Sequence, residues 1–463
     1  RHNKLLKQTG IFVLITAETS KDMVMGALEY LPDGYITKPM TKAVLQKRLD
    51  VMIEQRETLK PINDAIDKEL TDKAIELINE EIQSESKYTI WCYRKLAGLY
   101  YQKEQYEQAR QIYENILTKR DIGWAQLGLG KVKIAQGDYQ GAIDGLTGLL
   151  KQNGNLIEAY DWLAEAQLKK GSALDAQQTL NKAVEISPFA IIRQKKLAEV
   201  CTKNKDVERA SDAFRHTVKL GHNSVHESPD NYLSLGRCLS ELSEGDKTDL
   251  GKKRAKEAVQ TLERVGKKFK DDSSVQVNSM LIQSRVHQGQ GDEKKAKTIL
   301  EKVENTMDLD EADASMKLEF AKTLYTMGEV SQAEQLLSDL AQESGDDAAV
   351  MASIEDLLDE PVSLQKKVKA RKLNKQGIGA FEKGDLSKAI EVFESALVST
   401  PKHPALNLNM VQVMLKQIAG QGGNPELKRR CEHCLANVKH IPERHRQYKR
   451  YAHLAKKVQS LKA

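Results

Sequence analysis

An alanine recurs at nearly constant spacing through the middle of the chain. Ala109, Ala142, Ala176 and Ala210 are separated by 33, 34 and 34 residues. Each stands near the start of a segment with apolar residues at helical spacing, and a similar segment precedes it. A period of this length indicates a repeat of two helices, whose apolar face only neighbouring pairs can bury. The spacing therefore predicts a stack of helix pairs.

The residue types within the repeat fit this packing. Small residues in the first helix allow the second to approach closely, and larger residues in the second helix fill the space towards the next pair. Gly-Asp steps are typical of the turns, because glycine tolerates a positive φ and aspartate caps the helix that follows. The small residues are Ala97, Gly130, Ala164 and Ala198, the larger ones Tyr113, Leu146, Leu180 and Phe214, and the turns Gly137-Asp138, Gly291-Asp292 and Gly384-Asp385.

The units "YRKLAGLYYQKEQYEQARQIYENIL" and "YDWLAEAQLKKGSALDAQQTLNKAVEISP" resemble the tetratricopeptide repeat family. The resemblance is specific over residues 90–220 and 380–401 and looser elsewhere. It implies a mainly α fold, an α-solenoid of about eight or nine helix pairs over residues 58–440. The concave surface of such a solenoid, lined by first helices, holds peptides or protein segments. Registration with the family directs seven residues towards it: Arg94, Tyr101, Trp124, Leu127, Lys131, Asp161 and Glu165.

Two alternatives stay open at this stage. Trp124 and Tyr101 could equally be packing residues. The acidic stretch from Glu343 to Glu360 interrupts the period, and it is interpreted as an extra helix or a break. A polar insertion at residues 240–253 is expected to delay the second helix of its pair, and residues 61–84 predict a short opening pair.

The first sixty residues have a different pattern. "IFVLITAE", residues 11–18, is a short apolar run rich in β-branched residues, which predicts a strand buried on both faces. An amphipathic helix, a second strand "DGYIT" and a second helix follow. This order predicts a parallel sheet, with a Lys-Pro step at the carboxyl end of the second strand, where ligands collect in open α/β sheets.

Residues 9–56 resemble the C-terminal half of a response-regulator receiver domain, which has a flavodoxin-like α/β fold. The resemblance rests on Thr16-Ala17 at one strand end and on Asp33-Gly34-Tyr35 before "ITKP". It implies that Thr16 supplies the hydroxyl that moves towards a phosphoryl group and that Lys38 neutralises this group. It also implies that Tyr35 is the switch aromatic and that Pro39 follows a cis peptide.

The acidic half of such a domain is missing from the sequence. Only ten residues precede Ile11, so no acidic pair and no phosphoacceptor aspartate can be assigned in this chain, and Asp22 and Asp33 lie on the wrong elements. We therefore expect no cofactor here, and Mg²⁺ only for a complete receiver. The absence of an initiator methionine favours a fragment of a longer chain. A half receiver would expose its sheet edge and one apolar face, so residues 1–56 should be sensitive to protease if the natural protein begins at Arg1.

The C-terminal tail carries the positive charge. Residues 421–463 contain 11 Lys/Arg and 3 Asp/Glu, a net of +8, although the whole chain has only +5. Ile441, Tyr448, Tyr451, Leu454 and Val458 have helical spacing, and we favour a capping helix over residues 441–463 over nucleic-acid binding. "CEHC", Cys431 to Cys434, lacks a second cluster, so no metal site is expected even with His440 and His445 nearby.

These features predict a response regulator of three parts: a receiver portion at residues 1–57, the repeat array at 58–440 and the capping helix. The array would bind a protein partner, and a histidine kinase would be the phosphodonor of the complete receiver. The alternative is a nucleic-acid-associated regulator that uses the basic tail. No catalytic motif indicates an enzyme. The sequence contains no apolar run long enough for a membrane span and an odd number of cysteines, which favours the cytoplasm and reduced thiols.

Overall fold

The computed structural model describes residues 6–28, 32–309, 311–344, 347–357, 364–401, 403–421, 424–439 and 447–461. They form two compact units. One unit comprises residues 1–243 and 249–261, and the other comprises residues 244–248 and 262–463.

The first part of the chain is an α/β segment. Its two strands are parallel and pair in the register Val13↔Gly34 to Thr16↔Thr37. The order of strand, helix, strand and helix is the one that the sequence predicts. The elements are β1 (Val13–Thr16), α1 (Lys21–Leu28), β2 (Gly34–Thr37) and α2 (Lys42–Thr58).

Helices follow without further strands in the described residues. The first group is α3 (Lys60–Asp67), α4 (Thr71–Gln83), α5 (Thr89–Gln102), α6 (Tyr106–Lys119), α7 (Gly123–Ala135), α8 (Tyr139–Gln152), α9 (Ile157–Lys169), α10 (Ala173–Ile186), α11 (Ile191–Lys203), α12 (Val207–Gly221), α13 (Pro229–Ser243) and α14 (Asp249–Lys268). The second group is α15 (Ser273–Gln290), α16 (Glu293–Thr306), α17 (Ala314–Met327), α18 (Val330–Glu343), α19 (Ala348–Leu357), α20 (Leu364–Glu382), α21 (Leu386–Ser399), α22 (Pro404–Gln421), α23 (Pro425–Asn437) and α24 (Tyr448–Gln459).

The turns within pairs have the predicted Gly-Asp geometry. Gly137 has a φ of +83°, and the Asp138 carboxylate accepts a hydrogen bond from the Gly141 amide at 2.9 Å. Gly291 and Gly384 also have positive φ values, and the aspartate after each caps its helix. These three turns reverse the chain between the helices that they join, because glycine enters the left-handed region without a Cβ clash.

The close approach of neighbouring helices depends on small residues. Ala97, Ala164 and Ala198 are fully buried. A Cβ added at Gly130 would lie 2.8 Å from the Leu146 side chain, so the predicted contact between α7 and α8 exists only because this position has no side chain. Gly128 faces the preceding pair in the same way, since its Cβ would lie 2.3 Å from the Tyr113 ring.

The described array has more helix pairs than the eight or nine that we predicted. Ten consecutive pairs lie between α3 and α23 in the described residues, with α19 and α24 outside this pairing. The pair α22/α23 was missed because its sequence lacks the alanine and turn signals. The extra helix in the acidic stretch is α19. The polar insertion at residues 240–253 does not delay the second helix of its pair by about ten residues, because α13 continues to Ser243 and α14 already begins at Asp249.

Burial accounts for the state of the cysteines. Cys92, Cys201, Cys238, Cys431 and Cys434 are all free thiols and all buried. Burial raises the pKa of Cys201 and of Cys431 to about 12, and the pKa of Cys92 and of Cys434 to about 11. Within the described ranges, no helix is both long and apolar enough to cross a bilayer.

The contact at Gly128 predicts a large effect of a small substitution. Gly128→Ala should lower the free energy of unfolding by about 1–3 kcal/mol, because the added methyl group overlaps a buried tyrosine ring. Gly145→Ala is the matched control, because Gly145 is also helical but its Cβ would meet open space. It should raise the stability by about 0.5–1 kcal/mol. Urea unfolding followed by circular dichroism measures both, and a neutral Gly128→Ala would contradict the packing.

Candidate protein-binding surface

The first helices of consecutive pairs form one row. Helices α5 and α7 contact each other, as do α7 and α9, and ion pairs connect α9 to α11. We call the accessible side of α5, α7, α9 and α11 the first-helix surface. It carries six of the seven residues that family registration directs towards a partner.

Three ion pairs cross this surface from one first helix to the next. Lys131 of α7 pairs with Glu158 of α9. Asp161 of α9 accepts two hydrogen bonds from the Arg193 guanidinium, at 2.8 and 2.7 Å. A third pair joins Glu165 of α9 to Lys196 of α11 at 2.7 Å. These pairs hold successive repeats in register, and they neutralise much of the charge that the surface would present to a partner.

Lys131 has a second contact on the same surface. Its ammonium lies 5.1 Å from the centre of the Trp162 ring, which is within the range of a cation–π interaction. The side chain of Arg193 is 5% exposed, so the guanidinium is nearly buried beneath the carboxylate of Asp161. Lys131 and Arg193 therefore serve the packing between repeats.

The remaining predicted residues differ in exposure. Leu127 is 5% exposed and lies in the core with α8 and α9, so it is not available on the surface. The Trp124 ring is half-buried and meets the Tyr113 ring edge to face, with the centroids 6.0 Å apart. Tyr101 is also half-buried and packs against Tyr106 in the same manner. Both aromatics thus have packing contacts while keeping an accessible side.

Arg94 is the exposed cation of this row on α5. Burial raises the pKa of Tyr113 to about 12, and the positive charge of Arg94 opposes this shift. Burial also raises the pKa of Tyr101, to which the neighbouring Tyr106 contributes. Both phenols stay neutral hydrogen-bonding groups at physiological pH. The surface around Arg94 therefore offers an exposed positive charge beside aromatic edges.

The carboxyl ends of β1 and β2 bring together the receiver-like residues. The Lys38 amide donates to the Thr16 carbonyl at 2.7 Å, so both residues lie at one edge of the sheet. The Tyr35 hydroxyl donates to the Glu18 carbonyl at 2.9 Å, and the Glu18 amide donates to the Thr16 hydroxyl at 3.0 Å. The Lys38–Pro39 peptide is cis.

Asp33, directly before β2, has a different task. The Asp33 carboxylate accepts the Phe12 amide at 2.8 Å and pairs with Arg56 of α2. It therefore braces the start of the strands, away from Thr16 and Lys38. Mg²⁺ is usually held by one or two carboxylates, whereas the strand ends offer a hydroxyl, an ammonium and only the carboxylate of Glu18, which already accepts a hydrogen bond from the Ser20 amide at 2.7 Å. No group of three or more His, Cys, Asp or Glu suited to a metal occurs in the described part of the chain. These residues do not fit Mg²⁺.

The α/β segment is attached to the first helix pairs of the array. The Asp67 carboxylate at the end of α3 accepts hydrogen bonds from the Gln8 amide at 2.6 Å and the Thr9 amide at 3.0 Å. The Lys95 ammonium of α5 donates to the Gln8 side chain at 3.0 Å. Lys87 pairs with Glu54 of α2. These contacts connect the segment to a helix of the first-helix surface.

Several apolar side chains of the same segment remain exposed. Ile15 is 41% exposed and Val51 is 61% exposed, and α2 contains no buried residue. Ile36, in β2, is buried. The two-stranded sheet thus buries Ile36 and leaves Ile15 exposed.

The basic tail is built into the end of the array. Leu454 and Val458 of α24 are buried in one cluster with residues of α22 and α23. Arg450 donates to the side chains of Asn409 and Gln412 at 2.7 Å, and burial lowers its pKa. Ile441, His440 and His445 lie outside the described residues. At least one basic residue of the tail, Arg450, is therefore engaged in contacts within the array.

Sequence reasoning missed the ion-pair partners and the attachment at Asp67. Asp161 and Arg193 are 32 residues apart, and Glu165 and Lys196 are 31 apart. Opposite charges separated by about one repeat were the signal that could have found the pairs. The bonds to Asp67 give no such signal, because their donors are backbone amides.

The comparisons with known proteins agree with this architecture. The model of the tetratricopeptide repeat family matches residues 127–191, which include α8, α9 and α10. The chain thus contains tetratricopeptide repeats and has a mainly α fold of the helical solenoid type. A comparison with curated protein sequences found no match.

The solved structures that match this chain are distant in sequence. The C-terminal part of a repeat-containing protein from Cytophaga hutchinsonii is 17% identical, with a TM-score of 0.40, and the match covers 53% of this chain and 93% of that one. A tetratricopeptide repeat protein from Parabacteroides merdae is 14% identical, with a TM-score of 0.37, and the match covers 70% of this chain and 98% of that one. The protein MamA is 18% identical, with a TM-score of 0.32, and the match covers 40% of this chain and 90% of that one.

The contacts of Asp67 predict a pH-dependent attachment of the N-terminal segment. Burial by itself raises the pKa of Asp67, but the bonds from Gln8 and Thr9 and the charge of Lys7 outweigh it, so the pKa is lowered. A carboxyl group with a lowered pKa stabilises the attached state above its ordinary pKa, near 4. It loses this effect as the pH falls through the lowered value. We expect hydrogen-exchange protection of the Gln8 and Thr9 amides at pH 7, which declines below pH 4.

Asp67→Asn should reduce this protection about tenfold at pH 7, because hydrogen bonds to a charged acceptor are about twice as strong as those to a neutral one. Asp64→Asn removes the same charge from the same helix and should leave the protection unchanged. Amides of α5 serve as the internal reference for unfolding of the array. Equal protection in the two variants would show that Asp67 does not hold the segment.

Proposed function

We propose that this protein is a signalling scaffold whose repeat array binds a protein partner through the first-helix surface. The observation that carries the proposal is the row of first helices with accessible Arg94, Tyr101 and Trp124 at one end. An exposed cation beside half-buried aromatic edges is the composition that recurs at protein interfaces. Because the charges farther along the row are paired with one another, we expect the partner to bind mainly near α5 and α7.

We further propose that the α/β segment is part of a receiver domain that controls this binding. Thr16 and Lys38 at one strand edge support the idea, because a hydroxyl and a cation can both contact a phosphoryl oxygen. The exposed apolar residues of β1 and α2 also support it, since a complete domain would cover them. A histidine kinase would then supply the phosphoryl group to an aspartate outside this chain, and Mg²⁺ would bind there.

The attachment of the segment suggests how the two parts communicate. Gln8 contacts Lys95 of α5, and this helix also carries Arg94 and Tyr101. A change at the strand ends of the receiver would shift the segment against α5 and so alter the surface that receives the partner. The basic tail as a nucleic-acid site is a weaker candidate, because Leu454, Val458 and Arg450 are committed to packing with α22 and α23.

Site-specific crosslinking tests the location of partner binding. A photoreactive amino acid at Arg94 or Tyr101 should give a discrete crosslinked product with a cellular protein. The same group at Gln111, an exposed position on the second helix α6, should not give this product. Mass spectrometry identifies the partner, and purified partner is then used to repeat the comparison. Equal crosslinking from Gln111 would contradict the assignment of the first-helix surface.

Labelling with a small phosphodonor tests the receiver portion separately. The natural full-length protein that contains this chain is treated with radiolabelled acetyl phosphate. We expect acid-stable but base-labile label that Lys38→Ala lowers at least about tenfold, because the ammonium no longer neutralises the phosphoryl oxygens. Lys42→Ala, on an exposed position of α2, is the control. No label on the wild-type protein would remove the phosphorelay from the proposal and leave partner binding untouched.

A further inference from the structure

A groove of about 510 Å³ lies on the second unit, among α16, α17 and α18. Its floor is formed by Phe320 and Leu324 of α17, and Met307, Leu309 and Leu336 form apolar walls. The floor residues are almost completely buried, whereas Leu309 is 40% exposed. The groove is therefore an apolar trough that is open to solvent along its edges.

Negative charge surrounds the trough. The two charged residues among its lining are Glu304 of α16 and Asp339 of α18, both acidic and both exposed. Residues 293–344, which span α16 to α18, contain 12 Asp/Glu and 6 Lys, a net of −6. One of these lysines, Lys317, is almost buried and paired with Glu343. The charge around the groove thus complements a positively charged ligand.

The walls of the groove also restrict the shape of the ligand. They consist of helices and a helix end, so no strand edge is available to pair with an extended backbone. A helix satisfies its own backbone hydrogen bonds and presents an apolar stripe of similar width to a trough between two helices. Ser331, Gln332 and Gln335 add polar groups along one side, and the Gln335 amide already donates to Asp339 at 2.9 Å.

We propose that this groove binds an amphipathic helix of another protein, with an apolar stripe flanked by Lys or Arg. Apolar residues of the helix would cover Leu309, Met307 and Leu336, and its cations would lie near Glu304 and Asp339. The second helices α16 and α18 build this site with the floor of α17, so it is separate from the first-helix surface. The inference goes beyond the proposed function and does not depend on it.

The test uses the whole chain and a defined probe. The probe is a fluorescent 18-residue peptide with Leu at helical positions i, i+3, i+4 and i+7 and with Lys elsewhere, and fluorescence anisotropy measures its Kd. A shuffled peptide of the same composition has no apolar stripe, and a third peptide has Glu in place of Lys. We expect the amphipathic basic peptide to bind at least about tenfold more tightly than either control, since both the stripe and the charge contribute.

Paired charge reversals locate the binding. Glu304→Lys with Asp339→Lys should weaken binding about tenfold, because both acids line the groove. Glu301→Lys with Glu334→Lys makes the same charge change on the same two helices at exposed positions outside the lining. This control should weaken binding less than about threefold, as expected of screened surface charges. Leu309→Glu should also weaken binding about tenfold, with circular dichroism confirming that the helices remain.

Three outcomes would overturn the proposal. Equal losses in the two double variants would show that the peptide responds only to net charge. Equal binding of the shuffled peptide would show that no helical stripe is recognised. Concentration-dependent self-association that Leu309→Glu abolishes, seen by sedimentation without the peptide, would assign the groove to a second copy of the chain.

Discussion

The architecture depends on the close approach of helices at positions that have little or no side chain. Gly128 leaves space for the Tyr113 ring, and Gly130 leaves space for Leu146. Fully buried alanines have the same role in α5, α9 and α11. Because each helix pair lacks a core of its own, these contacts with both neighbours supply the apolar burial that holds the pairs in place.

The polar contacts follow from the same stacking. Once first helices lie side by side, residues about one repeat apart in sequence become neighbours. Lys131, Asp161 and Glu165 then find partners on the next first helix. A similar pair occurs in the second unit, where Arg285 of α15 binds Glu319 of α17 with both side chains almost buried. The ion pairs therefore depend on the register in which the first helices stack, whereas the burial of apolar groups drives the formation of the stack.

The sequence allowed the repeated part of the fold to be predicted because its signals are local and periodic. The alanine spacing and the Gly-Asp turns located most pairs, but α22/α23 has neither and was missed. The candidate surface was predicted less completely. Family registration placed Arg94 and Tyr101 at accessible positions, yet Leu127 lies in the core because its side chain points towards α8 and α9. The groove at α16–α18 depends on three helices coming together, and no short stretch of sequence encodes such a contact.

The buried cysteines have a practical consequence for studying the array. A thiol reacts through its thiolate, so burial and raised pKa values should make these residues slow to alkylate while their helices stay packed. Repeat proteins can open one region at a time. Cys92 in α5, Cys201 in α11 and Cys431 in α23 stand in three separate regions of the chain. Their individual alkylation rates should therefore report how fast each region opens, without any introduced cysteine.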